Sequence, residues 1–442
     1  MTSEAVSPPL RVLIVAEHAS AKFGGEAALA LHYFRVLRRR GLPVWLVTHA
    51  RTRDELARLF PDERRIHYIE DTWLHILVWR LSTRLPAQIA YFTTGFIGRI
   101  AVQLAQRRIV RRLVASEGID VVHQPMPVSP REPSLMFGFG VPVVIGPMNG
   151  GMDYPPGFRH GHGRGRVEKL LLTLGRMSSA TMNWLIPGKR RAAALLVANR
   201  RTRDALPSGV SRRVIELVEN GVDLTLWRPQ TSAPADGSAD RDGVVRFAFL
   251  GRLVDWKAVD LLLLAFQRAS QRAPMRLLVI GDGLERPALE ALAGQLGIVA
   301  TEEGAPGVRF AGWLSQPEAA ERLQASDALV LSSLLECGGA VVLEAMAMGK
   351  PVIATAWGGP VDYLDADCGI LVPPTDRDAL VAGLADAMVE LALSPGRRAE
   401  LGRHGRQKVH DEYDWEIKVD RVLDIYRDAM KPAPVGADWA PT

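Results

Sequence analysis

The sequence predicts an α/β chain of two doubly wound domains, each built on a mostly parallel sheet. Three observations carry that expectation. The chain has 442 residues, more than one ordinary domain accommodates. Short apolar runs recur along its whole length. They alternate with helix-period stretches and lack the apolar-polar alternation of half-exposed strands, as expected of strands buried on both faces.

The elements follow in order. RVLIVAEH (11–18) reads as a strand, SAKFGGEAA as a glycine-containing loop, and EAALALHYFRVLRRRG (26–41) as a helix with arginines near its end and Gly41 as a stop. LPVWLVTHA (42–50) completes a βαβ unit. GIDVVHQP (118–125), VPVVIGPMNGG (141–151) and AALLVAN (193–199) repeat the strand pattern. A second series runs through RRVIELVENGVD (212–223), VRFAFLGRL (245–253), MRLLVIGDG (275–283), VRFAGWL (308–314), DALVLSS (327–333) and KPVIATAWGG (350–359). The boundary is expected near Pro207–Ser211. QTSAPADGSADRDG (230–243) reads as a flexible insertion, and 411–431 as one amphipathic helix. The expected division is 1–208, 209–415, a closing helix over 416–431, and a flexible tail over 432–442.

Composition narrows the function classes. With 48% hydrophobic and 23% charged residues the chain is of globular type. Two cysteines, Cys337 and Cys368, argue against a disulfide framework and suit a reducing, cytoplasmic setting. MTSEAVSPPL lacks the basic-then-apolar order of a signal peptide, and no run approaches the ~18 apolar residues of a membrane span. The net charge of +5 is unevenly spread: residues 1–230 hold 33 Lys and Arg against 18 Asp and Glu, and the remainder 21 against 31. The first half therefore suits an anionic partner: a membrane surface, a phosphorylated acceptor or nucleic acid.

In parallel α/β sheets ligands bind beyond the carboxyl ends of the strands, so the rim loops hold the candidate site residues. GRLVDWK (251–257) follows a strand and brings Arg252 and Lys257 toward one anion; a solvated basic loop is the alternative. LLECGG then AVVLEAMAMG places Glu336 before a helix and Glu344 one turn inside it, around Gly338 and Gly339. The glycines let backbone approach a ligand, and the amides at the helix start, with Ala340 and Val341, suit an anion. Carboxylates around a phosphate cradle suit a nucleotide sugar, whose hydroxyls they would accept. His123 ends a first-half strand, where it either contacts sugar or acceptor or is a satisfied strand-end histidine. In GPMNGGMDYPPGF (146–158), Asn149 and Asp153 are candidate acceptor contacts, and a loop without a ligand is the alternative.

Taken together these stretches resemble glycosyltransferase family 4, retaining sugar transferases of GT-B fold. The resemblance rests on Glu336 and Glu344 with seven residues between, the following AMAMGKPVIATAWGGPVDYL, GRLVDWK, ENGVDLTLWRP (219–229), VIGDGLERPAL and FGGEAALALHYFRVLRRRG, and covers Arg11 to about Lys431. It implies two Rossmann-like domains facing a cleft, the first on the acceptor side, the second binding the donor, and a closing helix returning to the first. It implies that Arg252 and Lys257 hold the donor diphosphate, that Glu344 holds the ribose, and that Glu336 with the 338–341 amides holds sugar and phosphates. Gly24, Gly25, Gly251 and Asp282 are implied donor contacts, and 309–314 supplies main-chain contacts to the base. Catalysis falls to Glu336, Arg252, Lys257 and His123. No metal or other cofactor is implied, only the nucleotide sugar as co-substrate. The partners implied are a glycan, polysaccharide or lipid-linked acceptor rather than nucleic acid. Two departures from the family pattern are Ala258, where Gly is usual, and Glu-Cys-Gly-Gly in place of Glu-Gly-Phe-Gly, which leaves the sugar open.

The arginines and apolar faces of 72–112 and 164–191 suggest peripheral contact with an anionic membrane, ordinary sheet-covering helices being the alternative. A nicotinamide oxidoreductase would need Gly-x-Gly-x-x-Gly after the first strand, and EHASAKFGGEAA lacks it. A catalytically degenerate GT-B subunit that binds a partner or membrane is the non-enzyme alternative, and a GT-B phosphorylase or epimerase a third.

Overall fold

The computed structural model describes residues 8–23, 25–72, 80–81, 93–159, 179–211, 213–229, 243–302 and 304–431. They fall into two units. The described residues within Met1–Gly151, Arg166–Glu219 and Lys418–Thr442 make the first, and those within Met152–Gly165 and Asn220–Ile417 the second.

The first unit is built on seven strands: β1 (Val12–Val15), β2 (Val44–His49), β3 (Ile66–Ile69), β4 (Val121–Gln124), β5 (Val143–Met148), β6 (Ala194–Val197) and β7 (Val214–Glu216), in the order β3-β2-β1-β4-β5-β6-β7. All pairings are parallel. Parallel pairing requires crossovers, so both faces are covered and the central strands have no polar side; β1, β4, β5 and β6 are buried at every position. The helix Gly25–Arg39 covers one face through Leu29, Tyr33, Phe34 and Leu37. Glu26 in its first turn and Arg38 and Arg39 in its last complement the helix dipole. The helix Trp415–Met430 contributes its later turns to this unit. There Lys418 is buried and donates to the Val218 carbonyl, and loss of hydration pushes its ammonium down to about 7.

The second unit carries β8 (Val245–Leu250), β9 (Met275–Ile280), β10 (Gly307–Gly312), β11 (Ala328–Leu331), β12 (Val352–Thr355) and β13 (Gly369–Val372), in the order β10-β9-β8-β11-β12-β13, again all parallel. In each sheet the strand order reverses once, beside β1 and β4 in the first and beside β8 and β11 in the second. Ligands of open α/β sheets bind at such reversals.

Several expectations are corrected. The 212–223 run does not open the second sheet: β7 lies at the edge of the first, pairing with β6, and the units divide between Glu219 and Asn220 rather than near 207–211. β3 and β13 had no counterpart among the expected strands. The 411–431 stretch is not one helix: a π-type turn, Val409–Tyr413, precedes the α-helix. The insertion 230–243, except Gly243, and the tail 432–442 lie outside the described residues. No single helix among the described residues is long and apolar enough to cross a membrane.

Candidate functional site

The reversal in the second sheet places two loops side by side, one after β8 and one after β11. They are stitched together by backbone: the Leu334 and Leu335 amides donate to the Trp256 carbonyl at 2.8 and 3.3 Å, and the Ser332 hydroxyl to the Lys257 carbonyl at 2.9 Å. Lys257 closes a 3-10 turn, Asp255–Lys257, and the chain then enters the left-handed region at Ala258, φ 48°. Among the described residues Ala258 is the only non-glycine with positive φ. Such a conformation costs a residue with a Cβ roughly 1–2 kcal/mol, so the surrounding packing must hold it. Ala258 is 2% exposed, consistent with that hold.

The turn aims Lys257 at Glu336. Its ammonium pairs with Glu336 Oε2, and the Ser333 hydroxyl donates to the same oxygen at 3.1 Å. Both side chains of the pair are largely buried. Oε1 has no partner among the described residues. Gly339, φ 75°, precedes the helix Ala340–Ala347, and a Cβ there would lie 3.0 Å from Glu336 Cγ. The Gly359 amide donates to the Glu336 carbonyl at 2.6 Å, and a Cβ on Gly359 would lie 2.0 Å from the Gly338 carbonyl oxygen. The loop bearing Glu336 is thus fixed from both sides. At the helix start, the Ala340 and Val341 amides have no acceptor among the described residues, as expected of the first helical turn.

Glu344 lies one turn into that helix, and its carboxylate has no hydrogen-bond or ion-pair partner among the described residues. It keeps some accessible surface, yet protein surrounds it, and loss of hydration pushes its carboxyl up to about 8. Arg252 is exposed on the β8 loop, its guanidinium without a partner among the described residues. Gly251 lies under the lysine stem: a Cβ there would sit 3.9 Å from Lys257 Cε. Asp282 follows β9, but its carboxylate accepts from the Gly283 amide at 2.8 Å and from Arg286 at 3.0 Å, bonds that hold it below the usual carboxylate range. Its carbonyl accepts from the Leu253 amide at 2.9 Å, tying the β9 loop to the β8 loop. Trp313, after β10, is 70% exposed.

The expected residues Gly251, Arg252, Lys257, Glu336, Gly338, Gly339, Ala340, Val341 and Glu344 all lie on the β8 and β11 loops and the helix that follows β11. Ser333 and Gly359 were not anticipated. Ser333 reads as a strand-end serine, and Gly359 sits 23 residues beyond the carbonyl it contacts.

The first-unit candidates stand differently. Gly24 lies outside the described residues; Gly25 begins the helix Gly25–Arg39 with open space where a Cβ would be. His123 is fully buried at the end of β4. Burial pushes the ring down to about 4, so it is neutral at pH 7; its Nε2–H donates to the Gly146 carbonyl, and its Nδ1 then accepts from the Tyr426 hydroxyl, each at 2.6 Å. That is the satisfied strand-end histidine of the two readings. Asn149 is buried, donating to Glu219 and accepting from the Thr202 hydroxyl at 3.2 Å. Asp153 belongs to the second unit, where its side chain accepts from the Tyr154 amide at 3.0 Å and its carbonyl from Trp357 Nε1 at 2.8 Å.

Comparison with solved structures gives the fold. A glycosyltransferase from Rickettsia africae superposes with a TM-score of 0.65 at 15% identity, covering 96% of this chain and 100% of that one. Anabaena HepE in complex with UDP gives 0.63 at 16% identity, covering 95% and 100%. The chain has the GT-B fold. Residues 245–391 match the family model described as Glycosyl transferases group 1. The match begins at the first residue of β8 and includes Arg252, Lys257, Asp282, Glu336 and Glu344. A D-inositol 3-phosphate glycosyltransferase of Saccharomonospora viridis is 37% identical over 243 residues, 52% of each chain. A GDP-mannose-dependent monoacylated alpha-(1-6)-phosphatidylinositol monomannoside mannosyltransferase of Corynebacterium glutamicum is 31% identical over 49% of this chain and 56% of its own. The chain spans about half the length of the curated relatives it matches.

Proposed function

We propose that this GT-B chain is a retaining glycosyltransferase of family 4 type, moving a hexose from a nucleoside-diphosphate sugar to a glycan, polysaccharide or lipid-linked acceptor. The observation that carries the reading is the grouping at the second sheet's reversal: Lys257 paired with Glu336, with Arg252 and Glu344 unpartnered among the described residues. Cations and unoccupied helix amides suit a diphosphate; carboxylates with spare lone pairs suit ribose and sugar hydroxyls. The names of the matched relatives and the UDP in the Anabaena complex support the same substrate class.

In this scheme the bond from the anomeric carbon to the diphosphate oxygen breaks. The acceptor oxygen bonds to the same face, and its proton passes to the departing phosphate. Arg252, Lys257 and the Ala340 and Val341 amides stabilise charge growing on the leaving diphosphate. The proposal assigns that charge to protein groups, so chelation of divalent cations is expected to leave transfer intact. It also places the enzyme in the cytoplasm, with the first unit on an anionic membrane face where a lipid-linked acceptor resides.

The test is transfer by Arg252→Ala and Lys257→Ala. Each is expected to lower turnover by about two orders of magnitude or more, the scale of one lost electrostatic donor, with the fold retained; Lys257→Ala, which leaves Glu336 without its ion-pair partner, also lowers the melting temperature. Near-normal rates in both would remove the diphosphate assignment.

A further inference from the structure

We infer that the Glu336 carboxylate discriminates against the sugar-free nucleoside diphosphate, so that the site favours its donor over its own product. The inference rests on the donor-site reading above. Three observations carry it. The Lys257 charge is already matched, because the ammonium is paired with Glu336 Oε2, and Ser333 donates to the same oxygen. The carboxylate is held in place: the Gly359 amide binds its residue's carbonyl, and there is little space between Glu336 Cγ and Gly339. Oε1 remains without a partner among the described residues.

A diphosphate that reaches Lys257 therefore also meets a fixed negative charge in a largely buried setting, where like charges repel more strongly than in water. The donor and the product differ at this point. In the donor the terminal phosphate is esterified to the sugar, and sugar hydroxyls can donate to Oε1. Transfer breaks the ester bond, joins the sugar to the acceptor, and sends the acceptor proton by way of the leaving phosphate to solvent. The product then has an additional ionisable oxygen and no hydroxyl to offer Glu336. The carboxylate that favours sugar-bearing ligand thus promotes release of the spent nucleotide.

The experiment is calorimetric titration of UDP against UDP-glucose, and GDP against GDP-mannose, into the full chain. The wild type, Glu336→Gln, Ser333→Ala and Lys257→Ala are compared, each with its melting temperature. Glu336→Gln keeps shape and removes charge. It is expected to tighten binding of the sugar-free diphosphate about tenfold, the scale of one close like-charge contact, with no equal gain for the sugar nucleotide. Ser333→Ala removes an uncharged donor to the same oxygen and leaves the carboxylate charge in place, so it should leave the ratio of the two affinities within about twofold. A Glu336→Gln protein that binds the diphosphate no tighter, or gains equally for both ligands, overturns the inference. Failure of the underlying donor-site reading would look different: Lys257→Ala would leave every affinity unchanged, or no probe would bind the wild type.

Discussion

Glu344 shows how a single residue links site chemistry to pH. Its carboxyl is pushed up to about 8 from an ordinary 4.5 by loss of hydration alone. Between those values the folded protein binds more protons at this position than the unfolded chain, so its contribution makes stability fall as pH rises through the window. Ribose hydroxyls donating to the carboxylate favour its ionised form. Nucleotide binding is therefore expected to strengthen as pH rises toward 8 and to release a proton near pH 7. Titration of UDP or GDP in buffers of different ionisation enthalpy measures that release, and Glu344→Gln should abolish it while flattening the decline in stability. Binding heats that do not depend on the buffer would separate Glu344 from the nucleotide. Arg252, Lys257, Glu336 and Glu344 could be singled out as candidates because each sits on a short loop or helix start whose geometry is local. Their pairing was not: Lys257 and Glu336 are 79 residues apart, and His123 meets Tyr426 across 303. No local pattern encodes which partner a buried polar group finds.

At the scale of elements, the central strands were legible because burial on both faces leaves a continuous apolar run. The omissions share a physical cause. β3 carries a half-buried histidine and tyrosine, and β13 opens on glycine, so each dilutes the signal, whereas β7 was read as a strand and only its sheet was misassigned. Much of the basic, apolar sequence at 72–112 and 164–191 lies outside the described residues. The helix Thr94–Glu117 is described, and it presents Ile97, Leu104, Arg108 and Arg111 along one solvent-facing stripe. Apolar side chains followed by arginines on one face suit insertion at an anionic bilayer surface, and the basic balance of the first half supplies the matching charge. The chain is expected to sediment with phosphatidylglycerol-containing vesicles at low salt, to be released at high salt, and to bind less as Leu104→Glu. Absence of sedimentation at low salt would end the membrane proposal.

For the whole molecule, the two-sheet architecture was legible because the strand-helix alternation runs twice along the chain. The division point was not, because the connection near Glu219 has no composition that marks it. Each sheet reverses its strand order once, and the second reversal gathers the residues on which the functional reading depends. The claim at the centre of that reading is where the nucleotide binds. The most direct measurement is a crystal structure of the chain with UDP or GDP bound. Diphosphate oxygens are expected within about 3 Å of Lys257 Nζ and the Ala340 and Val341 amides, with Arg252 closing on the same phosphates and ribose hydroxyls on Glu344. A nucleotide bound elsewhere, with Arg252, Lys257, Glu336 and Glu344 all out of its reach, would contradict it.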